Sequence, residues 1–231
     1  MSTLARRLVA EALGSALLLA IVVGSGIMGE RLAGGNVAIA LLANSLATGC
    51  GLAVLILVFG PVSAAHFNPA VSLSMGWLGE MPWRHVMAYM LAQLAGALLG
   101  VALAHGMFGL PAFSASTHLR SGPAQWLSEL VATFGLITTI LACARQHRSA
   151  LPYAVAGYIT AAYWFTASTA FANPAVTLAR AASNTFAGIR LADTPGFIAA
   201  QLLGAVLACT LCGWLIPAPA RAAATTGRRS G

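Results

Sequence analysis

Long stretches of this chain run without a charged residue. Apolar segments can be drawn at about 8–28, 37–60, 84–106, 124–144, 151–170 and 196–216. Each holds about 20 residues, the length an α-helix needs to cross a hydrocarbon core about 30 Å thick. The breaks fall at Gly29 to Asn36, after Gly60, at Met107 to Pro123, at Arg145 to Ser149, and from Phe171 to Pro195. The pattern predicts six transmembrane helices. Arg6 and Arg7 before the first run give it the look of a secretory leader. A leader's apolar region spans only about 7–15 residues, so the run is read as the first span. Gly14, Gly24, Gly49, Gly96, Gly100, Gly157 and Gly204 fit close approach of helices in a bilayer. The tail 217–231, mostly Ala, Thr, Arg and Gly, lacks apolar periodicity and is read as disordered.

Two short pieces do not fit six simple spans. His66-Phe67-Asn68-Pro69-Ala70-Val71-Ser72-Leu73 recurs as Phe171-Ala172-Asn173-Pro174-Ala175-Val176-Thr177-Leu178. The apolar stretch after each Asn-Pro holds about ten residues, half of what crossing requires. Three spans separate the copies, so they enter from opposite faces, as in an inverted repeat. Glu11 and Glu129, each a few residues into the first span of its half, reinforce the repeat. Asn is a strong helix N-cap and Pro suits the first helical turn, so each motif starts a short helix. Irregular backbone at membrane depth needs surrounding protein or a water-filled cavity. The two half-helices therefore meet near the midplane, N-terminus to N-terminus. Their positive dipole ends repel cations, while the Asn amides offer hydrogen bonds to neutral hydroxylic solutes.

Composition agrees with a membrane setting. Charged residues make up 7% of the 231 and hydrophobic residues 59%, against about 25% charged in a soluble domain. All twelve basic residues are arginine, and they are scattered among lipid-soluble runs, so no nucleic-acid partner is expected. With the N-terminus inside, Arg6, Arg7, Arg84, Arg145, Arg148, Arg221, Arg228 and Arg229 fall on the cytoplasmic side. Arg31, Arg120, Arg180 and Arg190 fall outside, a bias that places both termini in the cytoplasm. Cys50, Cys143, Cys209 and Cys212 lie in or at the ends of apolar runs and read as buried free thiols. His85, His105, His118 and His147 sit near span ends and read as interfacial residues rather than ligands. Trp77, Trp83, Trp126, Trp164 and Trp214 mostly mark the membrane interfaces. No metal-binding spacing and no cofactor motif is present, so neither is expected.

The doubled Asn-Pro-Ala, the six-plus-two-half organisation and the paired Glu11 and Glu129 resemble the aquaporin/aquaglyceroporin (major intrinsic protein) family. The resemblance covers about 1–216. It implies an all-α membrane protein with six transmembrane helices plus two re-entrant half-helices, repeat one at about 5–106 and repeat two at about 124–216. It implies a homotetramer in the lipid bilayer of the inner (plasma) membrane, each protomer holding its own pore. Asn68, Pro69, Ala70, Asn173, Pro174 and Ala175 would form the central constriction. His66 would lie by the cytoplasmic vestibule, and Glu11 and Glu129 would brace the re-entrant loops.

The family's second constriction usually carries Arg directly after the second Asn-Pro-Ala; this chain has Val176. The other filter positions, counted from the two motifs, fall on Thr48, Ala161 and Ala170. All four are uncharged and small or medium, which implies a wide outer constriction that passes solutes of glycerol or urea size. Loss of the arginine is similar to the bacterial, arsenite-conducting branch of the family, so metalloid hydroxides join the expected solutes. A glycerol facilitator or water channel without a metalloid role is the alternative. Arg180, four residues past Val176, shares its helix face. It either reaches back over Val176 to replace the missing cation, or stands in the outer vestibule, in water or paired with Asp193. A secondary transporter shares the inverted-repeat architecture but usually needs a midplane ion site, and Glu11 and Glu129 sit toward span ends. No HExxH motif, paired midplane acids or Ser/His/Asp constellation points to an enzyme.

Overall fold

A computed structural model describes residues 2–216, all helix and loop. Eight α-helices follow in order: α1 (Leu4–Leu32), α2 (Val37–Ser63), α3 (Pro69–Trp77), α4 (Trp83–Met107), α5 (Pro123–Gln146), α6 (Leu151–Phe165), α7 (Pro174–Arg180) and α8 (Thr194–Leu215). Local chemistry starts several of them. Asn36 Oδ1 accepts the backbone N–H groups of Ala38 and Ile39 at 3.1 and 3.2 Å. Asn68 and Asn173 cap α3 and α7, each with proline in the first turn. The half-helices hold 9 and 7 residues, about 13 and 10 Å of rise, too short to cross.

Two matched halves result. α1 packs along α4 and α2, and α5 packs along α8 and α6. Missing side chains permit the closest approaches. A Cβ at Gly96 would lie 2.1 Å from the Ala12 carbonyl oxygen, and one at Gly204 would lie 2.4 Å from that of Leu130. Backbones in such contact gain dispersion energy where lipid offers no hydrophobic drive for association. Outward faces carry large apolar residues such as Val58, Leu91, Leu127 and Leu203, the surface a bilayer covers.

Three expectations change. The apolar run 151–170 does not form one span: α6 stops at Phe165 after 15 residues, about 22 Å. Its continuation is drawn out of the helix by α5, because Ala167 N donates to Ser128 Oγ and Gln125 Nε2 donates to Ala167 O, both at 3.0 Å. Cys209 and Cys212 are buried and Cys143 half-buried, but Cys50 lies on the outer surface of the chain. His105 is fully buried rather than interfacial, its ring bridging Pro111 O at 2.7 Å and Ser183 Oγ at 2.8 Å. The tail 217–231 lies outside the described residues.

Candidate functional site

The two re-entrant loops share a backbone conformation that only tight support can hold. Ala64, Ala65 and Phe67 have positive φ, and so do Thr169, Ala170 and Ala172 at the repeat-related positions. Left-handed non-glycine residues cost of order 1–3 kcal/mol each and persist only where surrounding groups over-determine them. Glu11, with no exposed surface, accepts His66 N at 3.0 Å and Phe67 N at 2.7 Å. Glu129, equally buried, accepts Phe171 N and Ala172 N, both at 2.9 Å. A glutamine completes each set: Gln93 Nε2 donates to Glu11 and Ser72, and Gln201 Nε2 donates to Glu129 and Thr177. Ser63 Oγ and Ser168 Oγ accept from Ala65 N and Ala170 N within the loops themselves. Gln93, Gln201, Ser63 and Ser168 escaped the sequence reading. The serines had a signal there, because the repeat extends back to them, 105 positions apart.

So held, the half-helices meet tip to tip and are cross-linked. Asn68 Nδ2 donates to Ala172 O and Asn173 Nδ2 donates to Phe67 O, each at 2.8 Å. Each Asn Oδ1 caps its own helix, bonding Ala70 N at 2.9 Å in one case and Ala175 N at 3.0 Å in the other. An amide nitrogen carries two hydrogens, and each asparagine spends one on the opposite loop. The second remains for the cavity both residues line. Pro69, Ala70, Pro174 and Ala175 are buried at this junction.

That cavity, about 640 Å³, extends along the protein from His66, Glu80, Arg148 and Ser149 past the asparagine pair to Tyr163 and Arg180. Its walls between are largely apolar, with Val22, Leu52, Ile56, Leu136, Val155 and Ile159 among them. His66 lines the end nearer the N-terminus, with Nδ1 3.0 Å from Ser72 Oγ and its ring edge-on to Tyr89. Thr48, Ala170 and Val176 line the cavity too. Ala161 does not: it is exposed on the outer face of α6. Two residues further on, about 200° around the helix, Tyr163 faces inward, its hydroxyl 3.3 Å from Thr48 Oγ1. Counting back from Asn173 fails here because α6 ends early, which alters the register between helix and loop.

Arg180, for which the sequence leaves two placements open, belongs to the cavity wall. It is only 2% exposed and lines the cavity, neither standing in an open vestibule nor paired with Asp193, which is bound to Arg190 at 2.7 Å. Its guanidinium carbon lies 3.4 Å from the centre of the Phe171 ring, and its Nε donates to Ala187 O. Arg120 is likewise turned inward, its Nε bonding Gly188 O at 2.8 Å. Two of the four arginines assigned to the outer face thus serve the interior. The far end of the cavity carries a cation and a phenol as well as small uncharged side chains.

A family model described as Major intrinsic protein matches residues 1–160 and 146–229. The chain is 60% identical over 218 residues to an aquaglyceroporin, AqpS, of Rhizobium meliloti, covering 94% of this chain and 93% of that one. It is 31% identical to aquaporin AqpM of Methanothermobacter marburgensis, over 90% of this chain and 96% of that one. The fold superposes on the X-ray structure of an aquaglyceroporin from Plasmodium falciparum with a TM-score of 0.72, at 21% identity, over 93% of this chain and 98% of that one.

Proposed function

The chain belongs to the major intrinsic protein family, and from that premise we propose that its central cavity is a passive path for small neutral solutes. Membership places it among membrane channels rather than enzymes, for water- and glycerol-type solutes. The finer reading is that polyols, urea and undissociated metalloid hydroxides such as arsenous acid pass as well as water. The observation that carries it is the cavity itself, in which two oppositely oriented helix N-termini each present an asparagine N–H to the same space. Positive helix ends and amide donors favour a hydroxyl oxygen over a cation.

Thr48, Ala170 and Val176 leave room at the outer constriction, while Arg180 supplies the cation that Val176 does not. Ala161 has no part in this filter, and Tyr163 takes its place. Glu11 and Glu129 act as braces for the loops, and His66 belongs to the inner vestibule. The arginine distribution supports cytoplasmic termini in the plasma membrane, and the apolar outer faces suit lipid or neighbouring protomers of a homotetramer.

Side-by-side permeability to water, glycerol, urea and arsenous acid in proteoliposomes tests the solute range. All four rates exceed those of empty vesicles on this reading. Water flux with the three larger solutes excluded would refute it.

A further inference from the structure

Arg180 is a buried cation without a counterion. Among the described residues the one arginine–carboxylate pair is Arg190 with Asp193. Two carboxylates are already engaged, and Glu30, exposed near the outer end of α1, forms no ion pair among the described residues. Asp193 also accepts Arg120 N at 3.0 Å, and Glu129 is held by Phe171 N, Ala172 N and Gln201 Nε2. A second guanidinium deepens the imbalance. Arg120 stands with its Cζ 5.3 Å from the centre of the Phe171 ring that Arg180 covers at 3.4 Å. Arg120 is spent on carbonyls, those of Ser168, Phe186 and Gly188. Arg180 is not: its Nε donates to Ala187 O, and its two terminal nitrogens have no protein partner among the described residues, while the side chain lines the cavity.

A charge largely withdrawn from bulk water is costly unless paired, and the face of one aromatic ring compensates only part of that cost. The open fork of a guanidinium matches two oxygens of a planar anion better than it matches a single hydroxyl. Room for such an anion exists beside it, because Ala170 and Val176 are small and the Tyr163 and Thr48 hydroxyls line the same end.

We propose that Arg180, with Arg120 beside the same Phe171 ring, forms a binding site for a small planar monovalent oxyanion of the carboxylate or nitrate type, and that an anion held there stops neutral solutes from passing. The anion does not itself cross. The rest of the wall is largely apolar, with Leu52, Ile56, Val155 and Ile159 in it, and the two asparagine N–H groups replace only a small part of an anion's hydration. Blockage rests on the conduction path proposed above; binding does not.

The probe is formate, titrated as its sodium salt at constant ionic strength against sodium gluconate. Line broadening of carbon-13 formate by the purified full chain in detergent reads binding. Stopped-flow glycerol efflux from proteoliposomes reads block. Formate broadens saturably with the wild type and slows glycerol efflux toward the empty-vesicle rate over the same concentrations. Arg180→Gln loses the saturable broadening, and Arg180→Lys, which keeps the charge without the fork, moves half-saturation to higher formate. No saturable binding to the wild type, binding that survives Arg180→Gln, or an unchanged half-saturation in Arg180→Lys overturns the site. Saturable, Arg180-dependent binding in a wild type that passes no glycerol would support the site and overturn the conduction path instead.

Discussion

Replacing Glu129 with glutamine changes one oxygen for an amide nitrogen, yet the surroundings make that change severe. Glu129 receives Phe171 N and Ala172 N at 2.9 Å each and Gln201 Nε2 at 2.6 Å. These neighbours are all donors, so the group that satisfies them is an acceptor-only carboxylate. Oε2 takes both Ala172 N and Gln201 Nε2, and Oε1 takes Phe171 N. In Glu129→Gln the carbonyl oxygen keeps the first two at best, and the new NH2 faces Phe171 N, donor against donor. One hydrogen bond to a charged group, at about 1.5–3 kcal/mol, is lost. The loop these bonds restrain holds Thr169, Ala170 and Ala172 at positive φ, a conformation that relaxes once the restraint goes. Ala172 O, the acceptor for Asn68 Nδ2, moves with it, so the damage reaches the other half of the molecule. Thermal unfolding in detergent should show the midpoint falling by about 3–12 °C, and glycerol efflux from proteoliposomes should fall toward that of empty vesicles. Glu11→Gln should behave alike, because its partners are repeat-related. A Glu129→Gln protein matching the wild type in both assays would refute the bracing argument.

Other substitutions probe separate parts of the account. Gly96→Ala puts a methyl group where a Cβ would lie 2.1 Å from Ala12 O; α1 and α4 must part, at a cost of about 1–3 kcal/mol, visible as a lower unfolding midpoint. Equal stability would mean the helices are not in the contact described. Val176→Arg places a second guanidinium one turn from Arg180 and narrows the outer end, so the ratio of glycerol to water permeability should drop; an unchanged ratio would move the constriction elsewhere. Ala161→Trp, on the outer face of α6, should leave glycerol flux as it was, whereas Tyr163→Ala should raise it. The reverse pattern would restore the register counted from Asn173.

Much of this architecture could be read from the chain because each signal was local or repeated. Asn-Pro at the start of a run too short to cross declares a half-helix by itself, and its second copy three spans later declares the inversion. Glu11 and Glu129 were conspicuous because acids within apolar runs are rare. Gln93 and Gln201 were not, since a glutamine among apolar residues has no meaning until the carboxylate it bonds is known. Register was the weak point. Placing Ala161 in the filter assumed an uninterrupted helix up to the loop, but side-chain bonds from Ser128 and Gln125 end α6 at Phe165. Those residues belong to a different helix, so no reading of residues 151–170 alone contains the information. The sequence leaves Arg180 open for a similar reason, because its placement depends on Ala187 O and the Phe171 ring, one brought by a later loop and the other by the re-entrant stretch before α7.

Conduction through the asparagine-lined cavity is tested most directly by the initial rate of glycerol efflux from proteoliposomes, measured over a wide concentration range with ion gradients collapsed. A passive channel gives a rate that rises linearly with the glycerol gradient and does not change when the ion gradients are removed. A rate that saturates and vanishes with the ion gradients would make this protein a coupled transporter and contradict the account.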